Sequence, residues 1–300
     1  MKVAAAAPAL ATLTIGLPAG GLIWAIADTV RHGLHTPDLV LLAVMYLLVA
    51  FGTETGFHRL ISHRSFRATP AVTAVLTVLG SMAAQGPPLF WAAVHRQHHA
   101  HTDRPGDPHS PHLPGQRGFL HAHVGWLFAS RSGEDLRANV NDLLRDRVVI
   151  TVNRLYHWWV LLGLLIPGLL GLWWTGTLAG AARGVLFGGL ARIALWQQVT
   201  WSVNSMGHLV GERPFATGDR SANNVWLVPL TLGGAWHNNH HAFPSSAKVG
   251  LLRGQVDVHF ALIWILHKLG LVSAVKLPAP GRIEQALGQR GEIRHDVAHQ

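Results

Sequence analysis

Apolar and polar positions sort into five long apolar stretches divided by polar segments of very unequal length. The stretches run 8–27 (PALATLTIGLPAGGLIWAIA), 38–57, 71–93, 158–178 and 181–203. About 20 apolar residues cross a bilayer as a helix, so each is long enough to span. A polar turn, DTVRHGLHTP, separates the first two, and almost nothing separates the last two. The pattern therefore predicts two helical hairpins, about 8–57 and 158–203. Gln85, Gly86, Pro87 and Pro88 interrupt the third stretch, which reads as interfacial or re-entrant rather than as a crossing. The expected fold class is all-α. It is an integral, multi-pass membrane protein with four transmembrane helices in two hairpins. Residues 58–157 and 204–300 form a cytoplasmic helical cap, and the whole chain 1–300 is one domain. Lys2, the first apolar run and Ala25-Ile26-Ala27 also have the outline of a signal peptide. The spans that follow favour a retained helix.

Composition supports the membrane reading, with 49% hydrophobic residues and twelve tryptophans. Lys and Arg exceed Asp and Glu, 24 to 15. In a membrane protein that excess is read as the cytoplasmic bias of basic residues rather than as nucleic-acid binding, and it points the two long polar segments inward. The same basic surface suits an anionic head group or an acidic electron carrier. With no cysteine, disulfides, thiolate catalysis and Cys-held clusters are excluded. The closing residues, LGQRGEIRHDVAHQ, read as a polar tail.

Histidine changes the picture most. HRQHHAH at 95–101, HNNHH at 237–241 and HRLISH at 58–63 gather imidazoles in three places, and four crossings leave all three on one face. His95, His98 and His99 stand at i, i+3 and i+4, one face of a helix, and His237, His240 and His241 repeat the spacing. His58 and His63 are about 140° apart on a helical wheel and fit best where a helix ends. Eight imidazoles are too many for one four-coordinate ion and suit a dinuclear site. Imidazole alone does not choose among iron, zinc, copper and nickel. Arg192, inside the fifth stretch, is expected to face the bundle or a polar cavity.

These residues resemble the membrane-bound fatty acid desaturases with histidine boxes, specifically the acyl-CoA Δ9 type and its bacterial relatives. The matching text is GFHRLISHRSF, WAAVHRQHHAHTDRPGDPHSPH, GFLHAHVGWLF, NSMGHLVGERPFATGDRSANN and WHNNHHAFPSSA, spread over about 40–280. The resemblance implies a non-haem diiron centre, two Fe ions, with His58 and His63 from the first box. His95, His98 and His99 come from the second, and His237, His240 and His241 from the third. It adds His208, and Asn204 acting on one metal through water. Asp103 and Asp107 are expected to orient ring N–H groups, and His101, His109, His112, His121 and His123 to lie around the site or on the surface.

The implied reaction introduces a cis double bond, at Δ9, into a saturated fatty acyl chain with O2 reduced to water. Electrons come from a separate carrier such as a ferredoxin, rubredoxin or cytochrome b5, since no flavin, haem or NAD motif is present. The acyl substrate arrives as acyl-CoA, on acyl carrier protein or in a lipid. By resemblance, Tyr46 and Ala50 lie at the closed end of the substrate channel and Trp91 lines it. The expected location is a bacterial inner membrane with the active site cytoplasmic. Two departures bear on substrate and donor: Gly234 stands where the bacterial relatives carry an acidic residue, and KVGLLRGQVD replaces their tryptophan pair. A hydroxylase or acetylenase on the same scaffold, and a non-enzymatic membrane metal carrier, remain as alternatives.

Overall fold

The computed structural model describes residues 8–113, 118–129, 133–279 and 281–288. Most of the polar tail lies outside the described residues. In chain order the helices are α1 (Pro8–His32), α2 (Thr36–Ala50), α3 (Pro70–Ser81), α4 (Pro88–His101), α5 (Phe119–His123), α6 (Gly133–Ala138) and α7 (Arg147–Arg154). They continue with α8 (Tyr156–Thr175), α9 (Leu178–Gly184), α10 (Arg192–Met206), α11 (His237–Ala242) and α12 (Val258–Lys268). π-helical turns at Phe51–Ser62 prolong α2, and others at Val185–Ala191 join α9 to α10. The sheet among the described residues is a two-residue antiparallel ladder, β1 (Arg67–Ala68) with β2 (Val272–Ser273).

Four helical runs are long and apolar enough to cross a membrane: Ala11–His32, Thr36–Ser62, Tyr156–Thr175 and Leu178–Met206. Pro70–Ser81, at 12 residues, is too short. This is an all-α, multi-pass integral membrane protein. The connections are tighter than the sequence suggested, because α1 continues through Asp28 and Arg31. It stops at Gly33, whose φ of 80° an L side chain rarely adopts and whose N–H closes on the Thr29 carbonyl. The second hairpin turns at Gly176, left-handed at φ 66°, and Thr177 then caps α9 by accepting the Gly180 N–H.

The chain divides into two compact units interleaved along the sequence. The first comprises residues up to His58, 70–94 and 127–198. Large apolar side chains such as Leu17, Ile23, Trp24, Trp158, Leu169 and Trp173 are exposed there, an outward face suited to lipid tails rather than water. Helices approach where side chains are absent: a Cβ on Gly52 would collide with the backbone of Gly80, and one on Gly184 with the Pro167 carbonyl. Arg192 faces the bundle, as expected. It is fully buried and donates to the carbonyls of Gly188, Met82 and Gly163 at 3.1, 2.7 and 2.9 Å. The break after α3 thus has its loose carbonyl satisfied.

The second unit comprises residues 59–69, 95–126 and 199–300. Its core ion pair is Arg59 with Asp257, bidentate at 3.0 and 2.9 Å, each side chain 1% exposed. Asp257 also caps α12 by accepting the Phe260 N–H and takes the Val249 N–H, so one carboxylate ties three segments together.

Candidate metal centre

α4 carries His95, His98 and His99, and Arg96 fixes its position. The Arg96 guanidinium donates to the carbonyls of Ser62 and Ile61, both at 2.8 Å, which the helix ending at Ser62 would otherwise leave orphaned. α11 is only six residues and could not stand alone. Its two asparagines pin it. Asn238 accepts the Phe215 N–H at 2.8 Å, and Asn239 donates to the Val249 carbonyl and accepts from Asn223 at 2.7 Å. The NN of HNNHH therefore orients the histidines on either side, a role the spacing analysis missed.

Within the second unit the imidazoles form two groups. His63, His95, His99 and His240 make one, and His98, His208, His237 and His241 the other, with ligand atoms inside each group within 4.8 Å of one another. Each helical triplet is split. α4 gives its i and i+4 residues to the first group and i+3 to the second; α11 gives i and i+4 to the second and i+3 to the first. Facing nitrogens are close: His63 Nε2 lies 2.7 Å from His95 Nε2, His99 Nε2 lies 2.9 Å from His240 Nε2, and His208 Nε2 lies 2.9 Å from His237 Nε2.

Carboxylates hold the far side of the rings. His98 Nδ1 meets Asp107 at 3.0 Å, His208 Nδ1 meets Asp103 at 3.0 Å, and His241 Nδ1 meets Asp219 at 3.0 Å. An ionised carboxylate only accepts, so these Nδ1 atoms carry the protons and the Nε2 atoms carry lone pairs. The Nε2 atoms of His98 and His241 approach each other at 3.4 Å, inside a group whose four ring nitrogens lie within 4.8 Å of one another. Four converging imidazole nitrogens, three of them with the opposite nitrogen held by a carboxylate, form a donor set that fits a metal. Burial favours the neutral form of two of these rings. Burial drives His241 well below the ordinary imidazole range, with the neighbouring His237, His99, His98 and His208 adding to it. Burial lowers His208 likewise, against the pull of Asp103. Burial acts to raise Asp103 and Asp107, but His208 and His98 respectively hold them well below the usual carboxylate range.

His58, the last residue of the first unit, bonds Glu54 through Nδ1 at 2.9 Å. Asn204 is half-buried in α10, four residues before His208. Tyr46 meets Trp196 edge-on with centroids 5.2 Å apart, Ala50 is fully buried, and Trp91 lies 5.9 Å from Phe57 and 6.1 Å from His58. His101 is exposed. His109 stacks on His98 at 4.3 Å, His112 bonds the His208 carbonyl, His121 the Pro108 carbonyl, and His123 the Ser205 hydroxyl. Glu54 and Asp219 were missed. Glu54 sits four residues before His58, a readable helical spacing; no spacing rule links Asp219 to His241.

Residues 36–251 match the fatty acid desaturase family. The hex-5-enoyl-[acyl-carrier protein] acetylenase of Moorena producens is 42% identical over 276 residues, covering 89% of this chain and 86% of its own. The sn-1 stearoyl-lipid 9-desaturase of Anabaena variabilis is 37% identical, covering 79% and 83%. The Delta-9 acyl-lipid desaturase 1 of Arabidopsis thaliana is 36% identical, covering 81% and 76%.

The chain belongs to the fatty acid desaturase family. It is an oxidoreductase acting on fatty acyl chains, and the imidazole groups make this desaturase a metal-binding protein. Of its departures, Gly234 closes a turn on the Thr231 carbonyl, while KVGLLRGQVD supplies the Val249 carbonyl and Gln255 Oε1 that accept from Asn239 of α11, and its Val249 and Gly250 N–H groups donate to Asp257.

Proposed function

We propose that the two imidazole groups each hold one iron and that the enzyme introduces a cis double bond at Δ9 of a saturated acyl chain. The observation that carries the metal reading is the convergence of imidazole nitrogens into two groups, the ligand atoms of each within 4.8 Å of one another. One ion is assigned to His63, His95, His99 and His240 with His58 as a fifth ligand. The other is assigned to His98, His208, His237 and His241, with Asn204 acting through water. His58 is included because Glu54 holds its Nδ1 as Asp103, Asp107 and Asp219 hold theirs. Bound iron supplies the oxidising chemistry, with dioxygen as oxidant, that no side chain can perform on an unactivated methylene.

The chain's own residues do the rest. Carboxylates hold Nδ1 of His58, His98, His208 and His241 so that Nε2 points inward, and burial favours the neutral form of His208 and His241. An alkyl chain has no polar handle, so position along it is set by the channel, for which Tyr46, Ala50 and Trp91 are proposed as lining. For each double bond, two hydrogens leave the substrate and two protons and two electrons enter from outside, giving two waters from one O2. The carrier is proposed as a ferredoxin, rubredoxin or cytochrome b5 type, and the site as facing the cytoplasm of a bacterial inner membrane.

A second reading is favoured by the Moorena producens relative, whose name describes an acetylenase acting on an enoyl chain on acyl carrier protein. Expression with a compatible electron donor, followed by gas chromatography–mass spectrometry with double-bond localisation, separates the readings. A monoenoic product from a saturated chain supports Δ9 desaturation, an alkyne from an alkene the acetylenase, and an added oxygen a hydroxylase. His98→Ala and His240→Ala, one from each group, are each expected to abolish the product while the protein still inserts. Retained activity in both would remove the dinuclear reading.

A further inference from the structure

Rim chemistry around one cavity of the second unit points to where electrons enter. A cavity of about 330 Å³ is lined by Phe215, Gly218, Asp219 and His241 together with Arg282 and Gln285 of the helical segment 281–288. Asp219 and His241 both line it; the His241 ring, 1% exposed, is enclosed and belongs to the second imidazole group.

Four arginines surround the loop that forms its wall. The Arg104 guanidinium lies beside Gly218, Arg213 donates to the Asp219 carbonyl, Arg220 follows Asp219 in the chain, and Arg282 lines the cavity itself. Arg104, Arg220 and Arg282 are exposed. The one acid of the cavity lining, Asp219, is engaged by His241, Thr217 and Ser221. Among the described residues of this unit Arg and Lys number twelve against six Asp and Glu, so the rim concentrates a bias that runs through the whole unit.

We propose that an acidic one-electron carrier protein docks on this arginine rim and passes electrons inward by way of His241. The proposal rests on the diiron reading. Four electrons reduce O2 to two waters; the new double bond yields two, and the other two must come from the carrier, which is oxidised in two successive single-electron encounters. A substrate head group does not fit the cavity. The reacting methylenes must lie at the metals, so the head group stands several carbons away, whereas His241, one of the lining residues, is itself a proposed ligand. Charge complementarity of this kind acts mainly on encounter rate and salt dependence.

Surface plasmon resonance of an acidic plant-type [2Fe–2S] ferredoxin over the full-length enzyme in nanodiscs is the test. Wild-type binding is expected to weaken as salt rises. Arg104→Glu with Arg282→Glu is expected to raise the Kd about tenfold or more at low salt, while Lys268→Glu, outside the cavity, stays within about twofold. Acyl oxidation driven by dithionite in place of ferredoxin is expected to be unchanged in the double variant. An unchanged Kd in the double variant overturns the proposal. Competition between acyl-CoA and ferredoxin for the surface also overturns it, since the rim would then serve the substrate head group. A wild type that turns over with neither reductant contradicts the diiron reading instead, and the Kd comparison still decides the docking site.

Discussion

At the scale of single residues, the imidazoles of His58, His98, His208 and His241 are each oriented by a carboxylate on Nδ1. Asp107 is fully enclosed, and its two oxygens take the His98 Nδ1–H and the backbone N–H groups of Asp103 and His109. Asp107→Asn keeps the volume and one acceptor but loses the charge that fixes the tautomer. Its expected effect is a loss of metal affinity of about 10–100-fold, read as iron retained against a graded chelator series. Asp219→Asn is expected to act in the same direction through His241. The imidazoles were legible in the sequence because most of them stand in short histidine-rich runs. The carboxylates were only partly so: Asp103 and Asp107 share the second box's own segment, while Asp219 reaches His241 only through the fold.

Elements show which patterns a sequence can carry. Four spans and the interrupted third stretch were legible because apolar length is a strong signal and Pro87-Pro88 a strong stop. The π-helical turns at Phe51–Ser62 were not, because a reading by the 3.6-residue period has no signal for i→i+5 bonding. Nor did i, i+3, i+4 spacing reveal that each triplet divides between two groups; that follows only once α4 and α11 are placed. Asp257 is the best test of that placement. Removing one partner from a buried bidentate pair costs about 3–5 kcal/mol, so Asp257→Ala should lower thermal stability in detergent by that order. Arg59→Met with Asp257→Leu should cost less than the single change, because no buried charge is stranded. Asp257 sits below the ordinary carboxylate value of 3.8: burial acts to raise it, and Arg59 more than offsets this. A depressed carboxylate stabilises fully above its unfolded pKa, and the contribution is lost as pH falls through the folded value. Wild type should therefore lose stability more steeply than Asp257→Asn below about pH 4, a difference measurable by melting temperature against pH.

For the molecule as a whole, membrane helices and a histidine-rich unit are specified by different parts of the chain, interleaved so that neither is a contiguous segment. That interleaving explains why imidazoles from 63, 95–99, 208 and 237–241 can converge although long apolar runs separate them. The central claim is that these rings cage two irons, and metal analysis of the protein purified from iron-replete cells tests it most directly. The account predicts two iron atoms per chain in wild type; a protein that carries no iron, or that holds zinc or copper in its place under those conditions, would contradict it.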